Sequence, residues 1–162
     1  IFTNGMTGSY QALGWTVLDW ALGSPKTDWA GFIHARDQGG QDADRAFEDS
    51  AAAARHRDVG PSLPLARYAG TYHDEWYGDV TLAVEGDHLV IRWSHSPPYT
   101  ADLEHWQYDT FRARMREKTI ADAFITFALA PDGSIERMTM APVLPSTDFS
   151  FDYQDLLFRP VP

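Results

Sequence analysis

The feature that most constrains the fold is a change of pattern at Leu65, after which short segments alternate apolar and polar residues between turn signals. In DVTLAVEGDHLVIRW, apolar residues recur at every second position on both sides of Glu85-Gly86-Asp87. This period places them on one face of a strand, and the Gly-containing break favours a hairpin. Another hairpin is predicted to turn at Pro131-Asp132-Gly133. About eight strands fit into this region, which predicts a mainly β fold, a small eight-stranded antiparallel barrel preceded by helices.

A third predicted hairpin, TADLEHWQYDTFRARMRE, carries charges that indicate its register. A three-residue turn at positions 107–109 sets Glu104 opposite Arg112. The same turn sets Asp102 opposite Arg114, whereas a two-residue turn does neither. We therefore expect the three-residue turn. We interpret these charges as a solvated outer face rather than as an anion site or a carboxylate pair for glycoside chemistry.

The residues before Leu65 have helical patterns instead. Apolar residues at helical spacing predict one amphipathic helix, with Ser9 as its N-cap and Gly23 at its end, after a short strand that stops at Asn4-Gly5. A second helical pattern starts near Thr27, weakens at Gly39-Gly40 and resumes in a polar, alanine-rich stretch. That stretch indicates a solvated connector, which ends in DVGPSLP.

Charge and composition exclude several classes of function. The formal net charge is -10, which argues against nucleic acid as a partner, since phosphate binding needs clustered Lys and Arg. It contains no cysteine, which excludes disulfides, zinc–thiolate sites and cysteine nucleophiles. We expect no metal and no other cofactor, because the histidines and acids around positions 73–75 match no ligand spacing. No apolar run reaches the roughly 18 residues of a membrane span.

Five segments connect the barrel region with a known family: YAGTYHDEWYGDV, LVIRW, DLEHWQYDTFRAR, AFITFALAPDGSIERM and TDFSFDYQDLLF. With them, this region resembles the lipocalin-like domain at the C-terminus of many bacterial serine hydrolases of the β-lactamase and penicillin-binding-protein superfamily. The N-terminal segment is similar to the end of the catalytic domain in those proteins, where a strand ending in Thr-Asn-Gly leads into a helix. The resemblance implies a remnant of an absent hydrolase domain at 1–24, a helical linker at 25–64 and the barrel at 65–162.

The chemistry of that superfamily can be tested against this sequence. Its enzymes need a Ser-x-x-Lys nucleophile motif, a Tyr-x-Asn loop and a Lys-Thr-Gly or His-x-Gly strand. None of these occurs, and the nearest string, KTD at 26–28, follows a predicted helix. The resemblance therefore implies a non-catalytic accessory barrel, with no catalytic residue, whose partner is the missing catalytic domain. Its expected roles are shaping active-site access, packing against that domain or forming a homo-oligomer, in a parent protein expected in the periplasm or outside the cell.

Aromatic residues are frequent in the barrel region, where they can fill a small barrel or line a pocket. An independent carrier of a small apolar ligand is therefore the alternative function. A cavity of about 300 Å³ favours it, and a packed interior opposes it. We expect a ligand-contact or domain-contact surface among the aromatic residues Trp76, Tyr77, Trp93, Tyr99, Trp106, Tyr108 and Phe111. The Pro-rich loop SHSPPYT is predicted to lie at one end of the barrel.

Barrel closure has its own expected residues. Gly70-Thr71-Tyr72 stands where lipocalins carry Gly-x-Trp at the start of the first strand, so Tyr72 replaces the tryptophan of that family. Arg159 lies in the last predicted strand, where an arginine often packs on that ring. The resemblance thus implies a structural role in closure for Gly70, Tyr72 and Arg159.

Overall fold

The computed structural model describes residues 8–161, and for Phe149 it describes the backbone alone. The chain divides into two compact units, with the boundary between Ala51 and Ala52. The strand predicted before Gly5 lies outside the described residues. The first unit contains helix α1, Ser9–Leu22, and most of helix α2, Trp29–Ala54. The second unit contains the end of α2 and all the strands.

Helix α1 differs from its prediction at one end. Gly8, rather than Ser9, occupies the N-cap position, so α1 starts without a side-chain cap. At the other end Gly23 adopts the left-handed conformation, with φ of 63°, which glycine enters without steric cost. The expected end of α1 is therefore correct, while the predicted serine cap is wrong.

Helix α2 is continuous through Gly39-Gly40, where the sequence pattern weakens. A side-chain oxygen of Asp28 accepts a hydrogen bond from the Gly31 amide at 2.9 Å and supports the first turn. Each interior glycine costs about 1 kcal/mol relative to alanine, which the alanine-rich flanks tolerate. Only Ile33 is buried among the residues of α2, so most of this helix is exposed to solvent.

Eight strands form a closed barrel in which every strand pairs antiparallel with its sequence neighbours and the last pairs with the first. The bounds are β1 Gly70–Asp74, β2 Gly78–Glu85, β3 His88–Trp93, β4 Ala101–Gln107, β5 Thr110–Met115, β6 Ala123–Leu129, β7 Ile135–Pro142 and β8 Leu157–Pro160. The predicted mainly β fold and the up-and-down barrel are confirmed. The hairpin turn between β2 and β3 contains two residues, Gly86 and Asp87, because Glu85 still pairs with His88. It is one residue shorter than expected.

The register predicted from charge for β4 and β5 is confirmed. Asp102 pairs with Arg114, and Glu104 pairs with Arg112. The connection itself differs from the prediction, since Gln107 pairs with Thr110 and the ladder shifts between His105 and Gln107. The prediction places three residues in the turn, whereas the structure has two residues in the turn and one extra residue in a β-bulge of β4.

Side chains fill the interior of the barrel. The buried core draws on all eight strands and includes Leu82, Ile91, Phe111, Ile125, Met138 and Phe158, each at most 2% exposed. Rings of Tyr68, Phe111 and Phe127 meet edge to face, with centroids 4.9 to 5.9 Å apart. Tyr68 lies just before β1 and is fully buried. The aromatic residues in this part of the barrel act as filling rather than as the lining of an empty chamber.

Buried tyrosines make the barrel sensitive to alkali. Burial raises the pKa of Tyr72 to about 12 and raises the pKa values of Tyr68 and Tyr153 further. In the unfolded chain these hydroxyls ionise near pH 10. The free energy of unfolding should thus keep its full value below pH 10. Above pH 10 it should fall by up to about 1.4 kcal/mol per pH unit for each tyrosine. Urea unfolding between pH 8 and 11.5 measures this fall.

The matched control for this prediction is Tyr72→Phe, which removes one titrating hydroxyl. It should reduce the slope of unfolding free energy against pH by about one third, since three buried tyrosines contribute. An unfolding free energy that stays constant up to pH 11.5 would contradict the prediction.

Candidate functional site

The two ends of the barrel differ in the length of their connections. Antiparallel neighbours place the connections 75–77, 94–100, 116–122 and 143–156 at one end, which we call the loop end. The short turns 86–87, 108–109 and 130–134 lie at the opposite, turn end. Long loops on a rigid scaffold are where proteins usually place their contact surfaces. The search for a site therefore starts at the loop end.

A cavity of about 80 Å³ opens at the loop end, and we call it the mouth cavity. It brings together three of the predicted contact residues, Tyr77, Trp93 and Tyr99. The other residues that line it are Ser96, Ser150, Phe151, Tyr153 and Leu156. Small-molecule sites usually measure about 300 Å³ or more. The mouth cavity has room for one small apolar group, not for a lipocalin-type ligand.

A hydrogen bond joins two of the loops that surround the mouth cavity. The Tyr77 hydroxyl donates to Asp152 Oδ2 at 2.9 Å. This hydrogen bond, together with burial, raises the pKa of the Tyr77 hydroxyl above its ordinary value. Asp152 has a left-handed backbone with φ of 51°, which aspartate tolerates better than most residues. The β1–β2 and β7–β8 loops are therefore held together over the mouth.

Asp74 is the one charged side chain that is buried among the described residues. Its Oδ1 accepts backbone hydrogen bonds from Trp76 at 2.9 Å and Tyr77 at 2.8 Å, and its Oδ2 accepts one from Leu157 at 2.9 Å. Burial alone would raise the pKa of Asp74, but these three donors outweigh it and hold the pKa below its usual value. Asp74 thus connects the β1–β2 loop to the start of β8.

The sequence analysis missed the role of Asp74. It considered positions 73–75 only as possible metal ligands and rejected them. One signal was present, because an aspartate followed four residues later by Gly78 is typical of a turn in which the carboxylate accepts backbone hydrogen bonds. The bond to Leu157 had no such signal, since it joins residues far apart in the sequence.

Trp76 extends from the same loop into solvent, and 89% of its surface is exposed. Its ring centroid lies 6.4 Å from that of Tyr77, which is 36% exposed. A tryptophan exposed to this degree is unusual, because exposing its large apolar surface to water costs more free energy than exposing almost any other side chain. Trp76 and Tyr77 therefore form an apolar prominence beside the mouth cavity.

The remaining predicted contact residues lie elsewhere. Trp106, near the end of β4, lies under the Arg55 guanidinium, with Cζ 4.6 Å from the ring centroid. Tyr108 is half exposed in the turn between β4 and β5, and Phe111 is 1% exposed in the core. Strand parity could have shown this separation, because the connection after β4 comes three connections after the loop carrying Trp76 and therefore lies at the opposite end.

The residues expected at the closure lie where β1 meets β8. Tyr72 pairs with Pro160, and His73 pairs with Arg159. Tyr72 is buried and donates a hydrogen bond to the Tyr68 carbonyl at 2.8 Å, while Arg159 is exposed. Paired residues share a face, so Arg159 and Tyr72 point to opposite faces. Gly70 begins β1 with φ of 150° and pairs with Leu82.

The charged outer face of β4 and β5 forms a network of ion pairs. Arg114 contacts Glu104 at 3.1 Å, and Arg116 contacts Asp102 at 2.6 Å. Arg114 therefore contacts Glu104, which lies diagonal to it, although Asp102 is directly opposite. Arg112 and Arg114 also contact Asp122, at 3.1 and 3.2 Å. Every arginine of this stripe has an acidic partner, which agrees with its interpretation as a solvated face.

Two further findings concern metals and membranes. Within residues 8–161, no group of three or more His, Cys, Asp or Glu side chains is arranged to hold a metal ion. Neither described helix combines the length and the apolar character needed to cross a bilayer.

Comparisons with known proteins connect most of the chain with one family. The profile of a family described as "Domain of unknown function (DUF3471)" matches residues 54–160. No curated protein matches the chain. Among solved structures, the C-terminal domain of penicillin binding protein Rv0907 is similar at 20% identity, with 62% of this chain and 87% of that chain covered and a TM-score of 0.45. The family match contains the whole barrel.

Proposed function

The chain belongs to the DUF3471 family, a C-terminal domain family of β-lactamase-type proteins, and from this premise we propose that it docks onto a catalytic domain of the same protein. In this proposal the chain performs no chemistry, and its mechanism is steric and positional. The observation that carries the proposal is the surface of α1.

Helix α1 differs from the amphipathic helix that the sequence pattern predicts, because apolar side chains lie all around its circumference. Its single charged residue, Asp19, accepts a hydrogen bond from Trp29 Nε1 at 2.7 Å. Yet many of its large apolar residues are exposed: Tyr10, Leu13, Trp15, Val17, Leu18, Trp20 and Leu22. A helix that is apolar on every side is typical of a protein core. A neighbouring catalytic domain would cover this surface and remove it from water.

The exposed apolar surface of α1 also supports a division of the chain into three segments. We propose that residues 1–24 complete the catalytic domain, that 25–64 link it to the barrel, and that 65–162 form the accessory domain. The solvated surface of α2 supports its role as a spacer. We also propose that Trp76, Tyr77 and Tyr99, at the loop end, face the partner and shape access to its active site, because an exposed aromatic cluster is typical of a contact surface.

The alternative function, a carrier of an apolar ligand, has less support. The interior positions of the barrel are occupied by its own side chains, and the mouth cavity is small. A carrier needs an enclosed volume that its ligand can fill. The accessory role therefore remains the proposal.

The proposal predicts that a charge on α1 uncouples the catalytic domain. In the full-length protein encoded by the reading frame that contains this sequence, we expect a Ser-x-x-Lys motif upstream of Ile1. Leu18→Asp, at a residue 55% exposed here, should lower the melting temperature of the catalytic domain by several degrees, because a carboxylate would enter a buried interface. Differential scanning calorimetry and hydrolysis of a chromogenic β-lactam or ester measure the effect.

The matched control is Phe47→Asp in α2, an apolar residue that is 43% exposed. It should leave both the melting temperature and the hydrolysis rate unchanged. Equal effects of the two variants would contradict the proposal, and so would a reading frame that encodes no hydrolase domain.

A further inference from the structure

We propose that a groove along the seam between β1 and β8 binds an extended segment of a partner protein in which arginine or lysine alternates with apolar side chains. The groove lies on the outer face of the barrel and is distinct from the mouth cavity. This inference goes beyond the proposed function, because it names the chemistry of a partner and does not depend on which protein carries the segment.

The seam groove has an apolar floor. It is an open groove with a volume of about 750 Å³ that runs along β8 and the residue after it, where Leu157 and Val161 are 41% and 43% exposed beside Pro160. Trp76 lines the groove as well, at the loop end. Single exposed apolar residues are ordinary, but a row of them in a concave surface is typical of a binding site. The floor therefore suits apolar side chains.

Acidic side chains surround this floor. Glu75, Asp79 and Asp155 line the groove and are exposed. The basic groups in the same groove are His73, whose Nδ1 lies 2.6 Å from Asp79 Oδ1, and Arg159. Segments 68–91 and 138–158, which provide most of the lining, contain no lysine or arginine. The local excess of acids is complementary to a cationic partner.

Trp76 adds a second preference for cations. An indole face attracts a guanidinium or ammonium group, and among aromatic rings it does so most strongly. Glu75 lines the same groove as Trp76, so the groove offers a cation both an indole ring and a carboxylate. Since acids and an aromatic ring act together here, arginine fits this end of the groove better than a neutral polar residue does.

The shape of the groove favours an extended segment. On this side the lining consists of Leu157, Arg159 and Pro160 of β8, with Asp155 before the strand and Val161 after it. Successive side chains of an extended chain point to opposite sides. A segment lying along β8 could thus place apolar residues on the floor and basic residues on the acidic rim. Alternation of the two residue types satisfies both surfaces at once.

The test uses the intact 162-residue chain and the synthetic peptide acetyl-Arg-Leu-Arg-Leu-Arg-amide, followed by two-dimensional ¹H–¹⁵N NMR. We expect shifts of the Trp76 indole N–H signal and of the backbone amides of residues 155–159 and 161. Trp76→Ala should weaken binding by about tenfold, as truncation of an aromatic anchor does. Asp155→Asn should weaken it by about threefold and reduce its dependence on salt.

Two controls make the result specific. The peptide acetyl-Glu-Leu-Glu-Leu-Glu-amide should not bind, because its negative charges are repelled by the acidic rim of the groove. Trp20→Ala removes a tryptophan that is 84% exposed on α1 and should leave binding of the basic peptide unchanged. Equal binding of both peptides, shifts that avoid the groove, or equal effects of the two tryptophan variants would overturn the inference. None of these outcomes affects the Leu18→Asp test, so the two proposals can fail separately.

Discussion

Phe111→Ala is expected to lower the free energy of unfolding of the barrel by about 3–5 kcal/mol, the usual cost of deleting a buried ring. Phe111 is 1% exposed, and its ring centroid lies 5.3 Å from that of Tyr68 and 5.4 Å from that of His105. A closed barrel cannot collapse easily into the space left behind, because its strands are hydrogen-bonded on both sides. Urea unfolding followed by circular dichroism measures the loss.

Trp76→Ala is the control for this prediction. It removes a larger ring, but one that is 89% exposed, so stability should change by less than about 0.5 kcal/mol. The contrast between the two variants separates filling aromatics from contact aromatics. If Phe111→Ala lowered the free energy of unfolding as little as Trp76→Ala, the barrel interior would be loosely packed. A ligand carrier would then be the better interpretation of the fold.

Asp74→Ala is expected to cost about 3 kcal/mol of stability. The substitution leaves the backbone N–H groups of Trp76, Tyr77 and Leu157 without their charged acceptor. Hydrogen bonds to a charged group contribute about 1.5–3 kcal/mol each, and water entering the loop would replace part of the loss. Glu75→Ala, next to it and exposed, should change stability by less than about 0.5 kcal/mol.

The Asp74 variant also has a signature in acid. Three backbone donors hold the pKa of Asp74 below its unfolded value near 4. Its contribution to stability is therefore complete above pH 4 and is lost as the pH falls through the lower, folded pKa. Unfolding free energies measured from pH 6 to pH 2.5 should fall less steeply in Asp74→Ala than in the parent chain. Identical slopes would show that Asp74 is not the group responsible.

The slope in the variant should not vanish, because Asp109 has a similar environment. Burial opposes its ionisation, but donors from Tyr68 and Ser62 hold the pKa of Asp109 below its usual value. Asp109 fastens the segment before β1 to the turn between β4 and β5 at the turn end. Asp74 makes the comparable link at the loop end. Both ends of the barrel thus contain a carboxylate with a lowered pKa that joins segments distant in the sequence.

The predicted contact residues show how far a sequence pattern reaches toward a site. Tyr77, Trp93 and Tyr99 do meet at the mouth cavity. Trp93 ends β3, and Tyr77 and Tyr99 lie in the loops after β1 and β3, which are at the same end of the barrel. Trp106 and Tyr108 were grouped with them on aromatic character alone, but they lie near Arg55 and the turn end. Residue type indicates the capacity for contact, whereas position along the barrel depends on how the strands are ordered.

The sequence by itself determined the features that depend on neighbours along the chain: the eight strands, their order and the register of β4 with β5. Period-two patterns, turn residues and facing charges act over short distances, so they can be recognised locally. The tertiary structure alone decided that the interior is filled, that Asp74 holds the start of β8 and that Trp76 stands beside an acidic groove. Asp74 and Leu157 are 83 residues apart, and whether a barrel is full depends on the summed volumes of side chains from every strand.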